Sequence, residues 1–201
     1  MSYQLLKTDI LYYQRILKAS GFYTKKLDGI WGSGTDAADK AFIEQGKIIA
    51  AQHGTFDPRS ESNIIALVPK AQVLSRKFLS EFKKVRKDVR IISGTRTYAE
   101  QDSLYRIGRF GSKLPKVTNA RGGQSNHNFG VAWDIGLFEN GKYIATSNKY
   151  RQLFPLVQPL SHLVWGGNWI DFIDFPHYQH ETLFDNIVKI RNAFEAGNVY
   201  V

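Results

Sequence analysis

No cysteine occurs among the 201 residues, so disulfides and thiolate metal sites are excluded and the redox compartment is not legible. No apolar run approaches the roughly 18 to 20 residues needed to span a bilayer. The opening stretch MSYQLLKTDILYYQRILK has no basic segment leading into an apolar one, so no secretory signal is expected. Internal repeats and low-complexity tracts are missing as well. Acidic residues are scarce relative to basic ones: 18 Asp and Glu face 27 Lys and Arg, a net charge of +9. That excess implies a polyanionic partner, whether nucleic acid, an acidic envelope or an anionic cell-wall polymer. What is present is ordinary for a globular protein, 43% hydrophobic and 22% charged residues, enough for one large domain or two small ones.

Periodicity predicts an amphipathic helix over residues 5–19, with Leu6, Ile10, Tyr13, Ile16 and Leu17 on one face and Ser20-Gly21 closing it. A glycine-punctuated loop follows, LDGIWGSGTDAADKAF, in which Gly29, Gly32 and Gly34 read as turns and Thr35 as the cap of a second helix. A third short helix is expected across ESNIIAL, after the Asp57-Pro58 turn. Val68-Pro69 marks a boundary, with Pro69 in the first turn of a long basic helix. The densest basic run, KFLSEFKKVRKDVR, carries Phe78, Leu79, Phe82 and Val85 at helical spacing, so it reads as a helix with a solvated basic face and does not itself support nucleic-acid binding.

Beyond the boundary the pattern changes. VRIISG reads as a buried strand, and Thr97 with Glu100 forms a capping box opening a helix to about Ile107. Residues 108–124 are loop-like and basic. GVAWDIGLFENGKYI reads as a hairpin around Glu139-Asn140-Gly141, and ETLFDNIVKIRNAF as a closing helix. The expected fold class is α+β: a small all-α three-helix N-terminal domain over residues 1–68, then an α+β domain with a small antiparallel sheet over 69–201.

The stretch SNHNFGVAWDIG holds the first candidate site residues, His127 and Asp134. As a strand from Gly130, it puts Gly130, Ala132 and Asp134 on one face and Val131 and Trp133 on the other. The carboxylate face is then lined by the smallest side chains, which leaves open space beside Asp134. Seven residues of straight strand would span roughly 23 Å, so a turn through Asn128, Phe129 and Gly130 must bring His127 back. Two ligands hold zinc poorly, and the third must come from His53, His162, His177 or His180. His177 lies in WGGNWIDFIDFPHYQH, where Pro176 extends the backbone and Asp174 precedes it by three. His, Asp and His with one open position match a catalytic zinc site. Such a site needs a base, for which Asp174 is placed, and a cation to steady an oxyanion or substrate carboxylate, for which Arg96 in SGTRTYAEQ is placed.

Two resemblances follow. Residues 3 to about 68, with YYQRILKASGFY and LDGIWGSGTDAADKAF, resemble the three-helix peptidoglycan-binding domain found on cell-wall hydrolases. SNHNFGVAWD, together with SGTRTYAEQ, VTNARGGQSNH and WGGNWIDFIDFPHYQ, resembles the D-Ala-D-Ala carboxypeptidase superfamily of zinc peptidases, which includes VanY-type enzymes and phage L-alanyl-D-glutamate endopeptidases. The resemblance implies zinc on His127, Asp134 and His177, Asp174 as general base and Arg96 as transition-state or substrate anchor. The chain departs from the pattern at Gln179-His180, where an acidic residue is common, which leaves His180 as a rival third ligand.

The function implied is a peptidoglycan-degrading zinc endopeptidase acting on the L-alanyl-D-glutamate bond of the stem peptide. It would be a phage endolysin, expected to be monomeric, held in the host cytoplasm before lysis and then acting at the peptidoglycan. The alternatives are a D,D-carboxypeptidase releasing terminal D-alanine, and a non-catalytic zinc-containing binding module. A binding module has no use for an intact Asp174. Nucleic acid is not an expected partner.

Overall fold

The computed structural model describes residues 6–85, 87–145 and 147–201. Leu5, the first residue of the expected opening helix, lies outside the described residues. In chain order the helices are α1 (Lys7–Ala19), α2 (Ser33–His53), α3 (Pro58–Ile64), α4 (Pro69–Lys84), α5 (Tyr98–Arg106), α6 (Ser147–Arg151), α7 (Phe154–Val157) and α8 (Ile187–Ala196). The strands are β1 (Asp88–Ser93), β2 (Ala132–Glu139), β3 (Lys142–Ile144), β4 (Leu163–Trp165) and β5 (His177–His180). The α+β expectation holds. Contacts divide the chain into two compact units, one of residues 1–44, 96–129 and 182–200, the other of 45–95, 130–181 and 201.

The second unit contains the sheet. Its strands run in the order β1-β2-β5-β4, with β3 added to the far half of β2, and every pairing is antiparallel. Asn140 and Gly141 both adopt positive φ (52° and 74°), the conformation a tight two-residue hairpin turn requires. Period-two alternation sends Trp133 and Tyr178, a directly paired couple, to one face. There Phe78 of α4 packs against both, at 5.7 and 4.6 Å between ring centroids, and all three are fully buried. Burying aromatic side chains of this size is the largest apolar contribution available to a small sheet. The opposite face carries Ala132, Asp134, His177 and Gln179, with Ala132 opposite Gln179 and Asp134 opposite His177.

Two helices brace the outer strand. Ser60 of α3 accepts the Ile91 N–H at 2.9 Å, and Asn63 donates to the Ile91 carbonyl at 3.2 Å. β1 then bulges between Ile91 and Ser93, beside Asp134, an irregularity of the kind that re-aims side chains near functional sites. The third helix begins earlier than the ESNIIAL reading placed it. Asp57 is its N-cap, accepting from Ser60 N at 3.1 Å, and Pro58 occupies the first turn.

In the first unit, Phe194 of α8 is fully buried among Tyr12, Phe129, Tyr98 and Tyr200, at 5.3 to 6.2 Å between ring centroids. The buried Gln14 amide organises the Asp-Gly loop: its carbonyl accepts from Gly29 N at 2.9 Å, and its nitrogen donates to Asp28 at 2.9 Å and to Thr35 at 3.1 Å. Thr35 is therefore not the cap of α2. The helix starts two residues earlier, at Ser33, and the threonine hydroxyl is buried as a partner of Gln14. The same start takes Gly34 into the helix rather than into a turn. The closing helix also differs from its expected span: Asn186 caps it through Val188 N and Lys189 N, so residues 181–186 lie ahead of it. Among the described residues no helix is long and apolar enough to cross a membrane.

Candidate metal centre

His127 sits on a 3-10 turn, Asn126–Phe129, that ends in Gly130 at φ +66°. A β-carbon on Gly130 would lie 3.3 Å from Val68, so both the reversed backbone and the close approach favour glycine. The turn is tied to Arg96, whose N–H donates to the His127 carbonyl at 3.0 Å. Asn128 locks the pair from the side: its amide nitrogen donates to the Arg96 carbonyl at 3.0 Å, and its oxygen accepts from Gly123 N at 2.9 Å. Tyr12 adds its hydroxyl to the Arg96 and Asn128 carbonyls, at 3.0 and 2.8 Å. The capping box of α5, Thr97 with Glu100, is present in full and fixes the backbone next to Arg96. The Arg96 guanidinium donates to Gln101 Oε1 at 3.0 Å.

Asp134 and His177 face each other across the β2–β5 pairing. His177 Nδ1 lies 3.2 Å from an Asp134 oxygen, and its Nε2 lies 3.0 Å from Gln179 Oε1. His177 is buried, and the Asp134 side chain keeps only 21% of its exposure. Burial pushes the His177 pKa down, but the hydrogen bond and charge of Asp134 outweigh it, with Gln179 and then Asp174 adding to them, and the net direction is upward.

Each of His127, Asp134 and His177 offers one ligand atom, and the three atoms lie within 4.8 Å of one another. Two imidazoles and one carboxylate, converging and largely buried, suit a divalent cation with three protein ligands and a position left over. Of the rival histidines, His180 bonds through Nδ1 to the Glu181 carbonyl at 2.6 Å and stacks on His162, which in turn contacts the Glu181 carboxylate. His53 closes α2.

Asp174 is held by the loop that the WGGNWIDFIDFPH stretch makes. Trp165 stacks on Phe154 at 4.2 Å and donates its indole N–H to the Phe175 carbonyl at 2.9 Å. Asp174 N donates to the Gly166 carbonyl at 3.0 Å, and His177 N to the Asp174 carbonyl at 3.3 Å. A β-carbon on Gly166 would lie 2.6 Å from the Asp174 carbonyl and 3.1 Å from His177 Cβ, so only glycine lets these segments close. The Trp169 ring covers His177 at 4.9 Å.

Asn128 and Tyr12 are positioning residues that pattern reading passed over. An asparagine beside a histidine reads as a turn former, and Tyr12 lies beside the apolar stripe of its helix rather than on it, so neither stands out in the pattern. Only their partners, 32 to 116 residues away in sequence, reveal more.

Residues 118–180 match a family model described as D-alanyl-D-alanine carboxypeptidase. The peptidoglycan L-alanyl-D-glutamate endopeptidase CwlK of Bacillus subtilis (strain 168) is 38% identical over 101 residues, covering 46% of this chain and 60% of that protein. The chain thus spans about three-fifths of the curated relative it matches. The crystal structure of the Serratia marcescens L-Ala D-Glu endopeptidase ChiX is 24% identical, with a TM-score of 0.49, covering 62% of this chain and 88% of that one. His127, Asp134, Asp174 and His177 all fall inside the stretch of residues 118–180 that is similar to the D-alanyl-D-alanine carboxypeptidase family model.

Proposed function

We propose that this protein is a zinc-dependent peptidoglycan endopeptidase that cleaves the L-alanyl-D-glutamate bond of the stem peptide. The observation that carries the reading is the convergence of the His127, Asp134 and His177 ligand atoms within 4.8 Å, with Asp174 held next to His177 by the Gly166 loop. The bond assignment draws on the activity of the similar Bacillus subtilis endopeptidase.

Zinc held by the two histidines and Asp134 would polarise the scissile carbonyl and acidify a water. The Asp174 carboxylate takes a proton from the attacking water and returns it to the departing amine. Arg96, with its backbone fastened by His127, Asn128 and Tyr12 and its side chain donating to Gln101, offers a guanidinium for the substrate carboxylate or the oxyanion. Trp169 shields His177 from bulk water, which strengthens each of these charge interactions.

The polymer partner is supported by charge distribution. Between Asp102 and Asp134 the chain has no acidic residue but carries Arg106, Arg109, Lys113, Lys116 and Arg121. All except Arg109 are exposed. A stretch of one charge sign matches the carboxylates of stem peptides. The helical segment expected over residues 1–68 would add wall affinity, and an endolysin acting on the wall of a phage host is part of the same proposal.

The test is digestion of purified peptidoglycan by the wild type and Asp174→Ala, with and without chelator, with fragments read by mass spectrometry. The expected result is new N-terminal D-glutamate, lost on chelation, restored by zinc in the wild type, and reduced about 100-fold or more in the variant, in line with loss of a general base. Free D-alanine instead would move the activity to the carboxypeptidase branch, which the description of the family model favours. A folded protein that pellets with the wall but releases no fragment under any divalent metal would leave a binding protein.

A further inference from the structure

His177 stands between two acceptors, Asp134 at Nδ1 and Gln179 Oε1 at Nε2. A neutral imidazole has one N–H, so the two acceptors compete for it. The carboxylate of Asp134 draws the proton to Nδ1, the nitrogen that faces the Asp134 oxygen and where a proton would exclude a cation. Gln179 draws it to Nε2, which leaves the Nδ1 lone pair directed into the site.

We infer that Gln179 is a positioning residue of the metal centre, setting the His177 tautomer and ring orientation so that Nδ1 binds the cation. The inference rests on the metal reading above and goes beyond it by assigning a role to a residue that is not itself a ligand. Three features of the fold support it. Gln179 and His177 are two apart on β5 and so share a face. Gln179 is opposite Ala132 across the strand pair, where a larger side chain would compete for the space that the amide occupies. Both Gln179 and His177 are buried, so water cannot readily take over the acceptor role. Ring N–H partners of this type orient ligating histidines and raise their basicity. A neutral amide at this position does so without adding a second negative charge to the single carboxylate of Asp134.

The experiment compares zinc affinity of the wild type, Gln179→Leu and Gln179→Glu by competition with a chromophoric chelator, alongside thermal unfolding of the metal-free proteins and the visible spectrum of the cobalt forms. Gln179→Leu should bind zinc about 10- to 100-fold more weakly. Gln179→Glu, which keeps the acceptor, should match or exceed the wild type. The cobalt spectrum should change in the leucine variant and not in the glutamate one. Wild-type affinity in Gln179→Leu overturns the inference alone. So does an equal loss in both variants, or a leucine defect seen only as lower metal-free stability. A wild type that binds no divalent cation overturns both the inference and the metal reading.

Discussion

Gly166 shows how a residue with no side chain can govern the chemistry of those that have one. Its carbonyl accepts from Asp174 N, and a β-carbon added to it would meet both the Asp174 carbonyl and His177 Cβ. Gly166→Ala would force a 2.6 Å contact with the Asp174 carbonyl to open, and backbone cannot yield as the end of a flexible side chain can. Displacing a proton-transfer group by about 1 Å costs up to about 100-fold in rate. We therefore expect Gly166→Ala to lower stem-peptide hydrolysis about 10- to 100-fold while the protein stays folded. Gly32→Ala is the control, since a β-carbon there meets nothing within 4 Å. Steady-state rates together with circular dichroism spectra check both.

Among the elements, α3 and α4 act as one brace behind β1. The Arg76 side chain of α4 is wholly buried and forks onto both oxygens of Glu61 at 2.8 Å, while also donating to the Gly54 carbonyl at 2.7 Å. Removing one partner leaves a guanidinium uncompensated where water cannot reach, which costs about 3–5 kcal/mol. Glu61→Ala should lower unfolding stability by that amount in urea titrations. The loss extends beyond the pair, because α3 also presents Ser60 and Asn63 to β1. A small loss, under about 1 kcal/mol, would mean the pair behaves as a surface ion pair despite its burial.

Taken whole, the molecule carries tyrosines whose protons the fold retains. Burial pushes Tyr150 up to about 12, and it pushes Tyr12, Tyr13, Tyr98, Tyr178 and Tyr200 up as well. Two of these hydroxyls serve the architecture directly: Tyr150 accepts from Leu137 N and donates to the Ile144 carbonyl, and Tyr200 donates to the Phe129 carbonyl. The unfolded chain releases these protons near pH 10, whereas the folded chain holds them to higher pH. The unfolded state then binds fewer protons, so stability falls as pH rises above about 10 and is unaffected by these groups below it. Tyrosinate absorbance should rise together with the loss of near-ultraviolet circular dichroism. Ionisation of all ten tyrosines near pH 10 with the fold intact would contradict this.

Some of this protein was legible without coordinates because the relevant forces are local. The Thr97–Glu100 capping box, the Asn140-Gly141 hairpin and the proline start of α4 depend on backbone groups within a few residues of one another. The alternation that separates Trp133 from Asp134 is a property of any strand. His127, Asp134 and His177 could be picked out because their residue types and flanking patterns are unusual together. Long-range packing decided the rest. Thr35 had the chemistry of a cap, but the amide of Gln14 claimed its hydroxyl inside the helix. Asn128, Tyr12 and Gln179 acquire their roles only from partners brought near by strand pairing and helix packing. The sequence by itself determined which side chains were available for the site and which short segments would be helix, turn or strand. The tertiary structure alone decided which nitrogen of His177 faces Asp134, since that depends on atoms 43 residues apart meeting at 3.2 Å.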